Sequence, residues 1–523
     1  MRYDFVNNLS IKATNTTKIS LGLNVSLRDW KGPSAGVDGI FSMSREASPV
    51  DFPIVYPARN DKEIYTLWGG MSGGIYNNGY RNPVAEYVVG YKKQFASTVN
   101  ANIRLDQDLK MVTKGLKLHV LASFKNWSKT ETTRKAGYNQ FEIDQYNEAT
   151  GEYTLSRVGN EQKTALNTEG AATGDRRIFI QAYLDYKRKF GVHDVNAMLL
   201  YNQDQLDNNK PDNLLSSLPR RKQGIAARLS YAYDDRYLAE VNFGYNGSEN
   251  FAEGKRFGTF PAGSVGWIIS EEKFMEPLKP YVSYLKLRAS YGIVGNDIVS
   301  DGSRFLYLPD SYIISTAGGN NTTGIYSFGS TTNNFLPGAK ESKVGNPDVT
   351  WETAAKQNYG VDLHFFDSHL KTSFDYFIEH RKDILISRQV NPGYLAISLP
   401  IVNMGKVDNK GFEVTARWED AIRDFSYYIG TSWSYAKNKV IFKDEIPQPY
   451  EWMCETGRPV GQQFGYVNDG FFTEEDAANY ESLKGKENGI PDHGSGFSPI
   501  AGDVKYKDLN KDGKIDANDI SAI

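Results

Sequence analysis

The chain has 523 residues, a formal charge of −3, 13% aromatic residues and one cysteine, Cys454. That length accommodates roughly two to four ordinary domains or one large β-barrel, the charge gives no ground for a nucleic-acid partner, and a lone cysteine excludes an internal disulfide or a cysteine zinc cluster. No apolar run approaches the roughly 18 residues of a membrane helix, whereas 33 tyrosines beside abundant Gly, Asn, Ser and Thr favour strands and turns.

In chain order, the opening Met1-Arg-Tyr-Asp-Phe-Val-Asn-Asn-Leu-Ser10 carries no apolar h-region, so no signal peptide is read there. A tight turn at Asn15–Thr17 is followed by a long connection over about 28–91. Inside it Gly70-Met-Ser-Gly-Gly74 matches G-x-S-x-G, but a nucleophile elbow needs a strand before the serine and a helix after it. Ile75-Tyr-Asn-Asn-Gly79 is turn-rich instead, so the segment reads as a glycine-rich loop. A turn near Asp106–Lys114 leads to a second long connection, about 125–176. The strand that follows puts Ile178, Ile180, Ala182, Leu184 and Tyr186 on one face and Gln181 and Asp185 on the other.

A turn at Phe190–Val192 and a connection over about 204–222 lead to the basic cluster Arg220, Arg221 and Lys222. It reads as a solvated loop edge or, less simply, as a contact for anionic groups. Around the Asp234–Asp235 turn gather Tyr231, Tyr233 and Tyr237. After a connection over about 246–262, Leu285, Leu287, Ala289, Tyr291 and Ile293 alternate with Lys286, Arg288, Ser290 and Gly292. Beyond the connection at 294–350, a turn at Asp367–Ser368 and the connection at 380–408, Phe412, Val414, Ala416 and Trp418 oppose Glu413, Thr415 and Arg417. After Glu419–Asp424, the strand 425–435 is expected to end on Trp433 and Tyr435. About fourteen strands result.

A soluble sandwich would also alternate, with its apolar face inward. Alternating short and long connections are instead the habit of outer-membrane barrels, with short turns on the periplasmic side and long loops outside. Structureless loops of about 20 residues or more are uncommon in compact soluble domains. The aromatic residues where strands meet turns fit an interfacial girdle in aggregate, though any one reads equally well as a hairpin tyrosine.

From Leu218 a series of motifs resembles one family: Leu218-Pro-Arg-Arg221, Arg228–Ser248, Arg256-Phe-Gly-Thr-Phe-Pro-Ala-Gly-Ser-Val-Gly-Trp267, Gly295-Asn296, Thr350-Trp-Glu352, Asn409-Lys-Gly-Phe-Glu413, Gly461-Gln-Gln-Phe-Gly-Tyr466 and Asp469-Gly-Phe-Phe472. They resemble, in order over about 218–520, the SusC/RagA family of TonB-linked outer-membrane transporters. The resemblance implies an all-β antiparallel transmembrane β-barrel with long extracellular loops, 22-stranded in the family, of which 1–523 would form about fourteen strands. It implies import of glycans, oligosaccharides or peptides, a SusD-like lipoprotein lid, and energy from the TonB–ExbB–ExbD complex through an N-terminal box. No plug, TonB box or terminal aromatic residue is read here, so the expectation is an internal barrel fragment that does not transport by itself. The runner-up is a soluble or surface β-rich carbohydrate-binding module. The two are separated by where Leu285, Leu287 and Ile293 point, outward to lipid or into a core between two sheets.

Three sets of site residues follow. Asp508, Asn510, Asp512, Asp516 and Asp519, with Gly513 between them, take positions 1, 3, 5, 9, 12 and 6 of a calcium loop, to which Lys514 would add its backbone carbonyl. Pro499 and Gly502 upstream exclude an entering EF-hand helix, and Asp519 is shorter than the usual Glu. The loop therefore reads as a Ca2+-holding brace or as an acidic turn without a fixed ion. Lys286, Arg288, Glu240, Glu413 and Arg417 lie on polar faces that a barrel turns inward, where they are expected to balance one another. Tyr65, Trp68, Tyr76, Tyr80, Tyr307, Tyr312 and Tyr326 in the long loops suit sugar stacking or loop packing. No catalytic residue is expected.

Overall fold

The computed structural model describes residues 1–58, 65–72, 81–212, 214–298, 304–309, 344–390, 399–486, 489–494 and 496–523, with the backbone of short strands between 313 and 340. Fourteen strands form one sheet whose spatial order is their order in the chain. They are β1 (Arg2–Lys12), β2 (Thr17–Pro33), β3 (Gly90–Asp108), β4 (Leu116–Lys135), β5 (Asn167–Phe190), β6 (His193–Asn208) and β7 (Arg220–Tyr233). The rest are β8 (Tyr237–Ser248), β9 (Phe257–Ile268), β10 (Val282–Asn296), β11 (Glu352–Phe365), β12 (Leu370–Ser387), β13 (Ile401–Ile422) and β14 (Phe425–Phe442). Neighbours pair antiparallel from β1 to β4 and from β7 to β14. The expected strand count and the alternation of short and long connections both hold.

Short turns close one end of the sheet. At Asp234 and Asp235 the backbone is left-handed (φ 50° and 56°), and the Arg236 N–H returns to the Tyr233 carbonyl at 3.0 Å. Asp, with a small polar side chain, tolerates that conformation. A seventh connection at this end, 269–281, has no counterpart among the turns read from sequence. It holds two 3-10 turns, Ile269–Glu271 and Lys273–Leu278.

Several boundaries differ from expectation; the connection placed at 380–408, for one, is 388–400, because β12 and β13 are both longer. The connection placed at 125–176 shrinks to 136–166 and the one placed at 246–262 to 249–256, because β4, β5 and β9 run on as paired strand. Lys125–Lys135 is almost wholly polar on both faces, so it lacks the period-two signal; a strand that has left the apolar layer has no dry face to mark it. Trp433 and Tyr435 do not end their strand, since β14 continues to Phe442.

Two compact units are distinguished: 1–109, 117–182 and 202–221 in the first, 110–116, 183–201 and 222–523 in the second. In the first, the long connections carry a four-stranded sheet, Val55–Tyr56, Leu67–Gly69, Gln140–Tyr146 and Tyr153–Val158, with helices Gly36–Glu46 and Pro83–Val88. Asn82 organises them. Its Oδ1 accepts the Val84 and Ala85 N–H groups at 3.1 Å, capping the Pro83 helix, and its Nδ2 donates to the Ile54 and Gly69 carbonyls at 2.8 and 3.0 Å.

In the second unit the buried clusters lie at strand ends and in connections. One joins Phe251, Leu306, Val349, Trp351, Leu385 and Ile401; the other joins Phe472, Tyr480 and Ile490 with Phe497. The strand faces behave differently. Along β8, Val241 (60% exposed), Phe243 and Tyr245 are open, whereas Glu240 and Asn242 between them are half-buried. Val265 on β9 is 61% exposed and Leu287 on β10 is 40% exposed. Leu285 and Ile293 are half-buried, and neither belongs to a buried cluster. A water-soluble sandwich has the reverse arrangement, apolar faces closed and polar ones open.

Candidate functional site

The polar face of the second unit is built by register. Lys286 stands opposite Asp362, Asp362 opposite Ser373, and Asp375 opposite Glu413 on successive strands. Arg288, on β10, reaches Asp362 with Nε at 3.2 Å and Asp375 with one guanidinium nitrogen at 2.7 Å, and that nitrogen is also 3.3 Å from the Ser373 hydroxyl. Gly360, which pairs with Arg288 across the strands, leaves the space that the guanidinium occupies; a Cβ there would stand 2.5 Å from Arg288 Cζ. Beside this network a concavity of about 460 Å³ is lined by Ser230, Glu240, Ser264, Lys286, Arg288 and Asn358.

Three of the five polar-face residues have partners, none of them another of the five. Arg288 is held by Asp362 and Asp375. Glu240 accepts from Ser230 and Asn242, both at 2.8 Å. Arg417 pairs with Glu419 at 2.5 Å and lies 4.4 Å over the Tyr428 ring. Glu413 and Lys286 share the same polar face. Paired charges of this kind give a polar wall without a strong net field.

The three residues of the basic cluster open β7 and are exposed, as a solvated edge requires, and Lys222 has a fixed partner besides. Lys222 forms an ion pair with Asp297 at 2.6 Å, and the same carboxylate accepts from the Ser248 hydroxyl at 2.6 Å. Asp297 and Ser248 are buried, so Lys222 fastens the ends of β7, β8 and β10 rather than waiting for an anionic ligand. In the first unit Arg221 donates to Gln205 at 3.2 Å.

Of the loop aromatics, Tyr65 stacks on Phe141 (6.4 Å, 18°), Trp68 meets Tyr138 edge-on (6.4 Å), and Tyr307 meets Phe305 edge-on (6.5 Å). Trp68 and Tyr307 are half-buried in loop packing, whereas Tyr65 stays exposed. Tyr76, Tyr80 and Tyr312 lie outside the described residues, and Tyr326 sits in the short strand Ile325–Ser327, of which only the backbone is described. Ser72 of the G-x-S-x-G segment is exposed and gives its N–H to Glu142 at 2.7 Å.

The acidic loop is closed by its own backbone. Asp508 accepts from the Lys511 and Gly513 N–H groups (2.6 and 2.8 Å), Asn510 from Asp512 (3.0 Å), Asp512 from Lys514 (2.9 Å) and Asp516 from Asn518 (2.7 Å). Asp519, fully buried, accepts from Leu509, Asn510 and Asp516. Gly513 has φ +83°, the left-handed geometry that favours glycine at the sixth position. The segment before it is the strand Val504–Tyr506, without an entering helix. Among the described residues no group of three or more Asp, Glu, His or Cys side chains forms a metal-binding cluster.

Residues 26–512 match the family model described as TonB dependent receptor-like, beta-barrel. The chain belongs to that family. A TonB-dependent receptor barrel is an outer-membrane structure, and this sheet, open on its apolar face and paired on its polar one, is built accordingly. TonB-dependent receptor P39 of Formosa agariphila is 32% identical over 285 residues, which cover 54% of this chain and 25% of that relative. TonB-dependent receptor SusC of Bacteroides thetaiotaomicron is 28% identical over 214 residues, 41% of this chain and 20% of that one. The RagAB peptide importer in its closed-closed state shares the fold, with a TM-score of 0.67 over 100% of this chain and 54% of that one, at 15% identity. The aligned segments thus span a quarter or less of these two curated relatives.

Sequence reasoning missed one feature of this receptor's long connections. Glu86, 1% exposed, is held by Arg81 (3.0 Å), Lys135 (2.8 Å) and the Tyr138 hydroxyl (3.4 Å). Lys135 and Tyr138 stand 49 and 52 residues from Glu86 in the chain, so the cluster carries no local pattern.

Proposed function

We propose that the chain is wall and loop structure of a TonB-coupled importer of glycans, oligosaccharides or peptides, working with a SusD-like lipoprotein and the TonB–ExbB–ExbD complex, and performing no covalent chemistry. The observation that carries the reading is the exposed apolar strand face: Val241, Val265 and Leu287 are open where a soluble protein would bury them. Similarity to SusC and to a structure described as a peptide importer supports import over other receptor roles. The carbohydrate-binding-module reading needs Leu285, Leu287 and Ile293 between two sheets, and no such layer covers them among the described residues.

Cells lacking the protein should lose energised uptake of at least one member of a panel of labelled oligosaccharides and peptides, and loss of TonB should reproduce the defect. Unchanged uptake across the panel would overturn the proposal. For the acidic loop we propose a brace. Calcium as its ligand, through Asp508, Asn510, Asp512, Lys514, Asp516 and Asp519, is supported by spacing alone. Calcium titration by calorimetry should then show a heat that Asp508→Asn abolishes; no heat with the unaltered chain would leave the brace and remove the ion.

A further inference from the structure

The connection between β9 and β10 stands apart from the other turns at its end of the sheet. Its 3-10 turns bury Met275 and Ser270. On the same segment Phe274 is 64% exposed, Leu278 49% and Tyr281 65%. Three large apolar side chains are therefore presented together on a segment that is itself fixed.

The segment is tied to the aromatic cluster beside it. Glu272 accepts from the Tyr237 hydroxyl at 2.6 Å, from Trp267 Nε1 at 3.2 Å and from Arg236 at 3.4 Å. Tyr233, Tyr237 and Trp267 stand side by side, with centroids 6.3 and 6.4 Å apart. All three are on the exposed apolar face, which continues along β9 to Val265. On the other side the Phe366 N–H donates to the Tyr281 carbonyl at 3.1 Å, and Phe366 is exposed as well. Exposed apolar residues thus stand both on the strand face and on the turn tied to it, while the polar tips of Tyr237 and Trp267 converge on one carboxylate. Rings with an apolar body and a hydrogen-bonded tip are the residues that settle where acyl chains meet headgroups.

We propose that residues 269–281 form an interfacial membrane-binding element, with Phe274, Leu278 and Tyr281 entering the headgroup–acyl boundary of the leaflet at the short-turn end. The ligand class is glycerophospholipid with a zwitterionic headgroup. Glu271, Glu272 and Glu276 face Lys273 and Lys279, Arg236 is shared between Glu272 at 3.4 Å and Asp234 at 2.8 Å, and Lys279 pairs with Glu271 at 3.7 Å, so the segment carries no excess of positive charge. Apolar burial rather than attraction to anionic lipid therefore drives the contact. The inference rests on the outer-membrane family and not on import, so loss of either leaves the other standing.

The test uses the protein in phosphatidylethanolamine–phosphatidylcholine vesicles, with Cys454→Ser removing the native thiol and a polarity-sensitive fluorophore on Phe274→Cys or, in a second variant, Leu278→Cys. Asp424→Cys, in the polar turn between β13 and β14, is the reference. At both test positions the emission should shift to the blue, and lipid brominated near the glycerol end of its chains should quench it about twofold more strongly than at 424. Salt should not change the result. Iodide quenching equal to that at 424 would overturn the proposal. So would shielding that develops only when periplasmic proteins are added, since the face would then belong to a protein partner.

Discussion

At the residue scale, two buried carboxylates hold their surroundings together, Glu86 through partners that no local pattern announces and Asp519 at a position that the loop motif marks. Glu86 is closed in by Arg81, Lys135 and Tyr138, and burial with the adjacent carboxylate pushes the Tyr138 phenol well above its ordinary pKa. Arg81 and Lys135 keep 43% and 37% of their side-chain surface exposed, so water would offset part of the loss of their partner. Glu86→Gln should therefore destabilise the loop sheet by about 2 kcal/mol, below the full cost of breaking a buried pair. Limited proteolysis within 33–90 should accelerate accordingly, and an unchanged rate would mean that the cluster is dispensable. Asp519 distinguishes a brace from an ion site. Asp519→Ala removes the acceptor of three backbone N–H groups and should cost about 2–3 kcal/mol with no calcium present. Asp512→Asn, whose side chain can still accept from the Lys514 N–H, should leave that stability nearly unchanged. Equal effects in a calcium-free melt would contradict the brace.

At the element scale, Glu474–Leu483 shows how one helix start is fixed. Thr473 accepts from the Asp476 N–H at 3.1 Å, Asp476 accepts from the Thr473 N–H at 3.0 Å, and Lys505 pairs with Asp476 at 2.8 Å. The Lys505 ammonium first, then the hydrogen bonds to Thr473, hold the Asp476 carboxyl at about 2, against an ordinary value of 3.8. Because the folded pKa lies below the unfolded one, the stabilisation is complete above about pH 4 and fades as pH falls through about 2. Amide exchange at Ala477 should accelerate over that window, and Asp476→Asn should abolish the pH dependence. Exchange at Ala477 that does not change through this window would contradict the assignment. Elements differ in how clearly their sequences describe them. β10 and β13 alternate cleanly and were legible. The far ends of β4 and β5 were not, because both faces there are polar, and 269–281 was not, because an apolar turn resembles neither a loop nor a strand.

At the scale of the whole molecule, the strand count, the order of short and long connections and the apolar–polar division of the strands were all readable, since membrane strands obey period two and little else. The polar network was readable only in part. Arg288 was identified, but Asp362 and Asp375 come to it from the next two strands, and the register that brings them there is set by pairing and not by local pattern. Lys222 is exposed as read, but its partner Asp297 is remote in sequence and was not legible. What makes the chain a membrane structure is the direction of its faces. That claim is tested most directly by spin labels placed one at a time from Ala239 to Tyr245 in vesicles, reading collision with oxygen against collision with a water-soluble nickel chelate. The account predicts a period of two, with 239, 241, 243 and 245 accessible to oxygen and 240, 242 and 244 not. Labels at 241 and 243 immobilised and shielded from both reagents, as in a packed core, would contradict it.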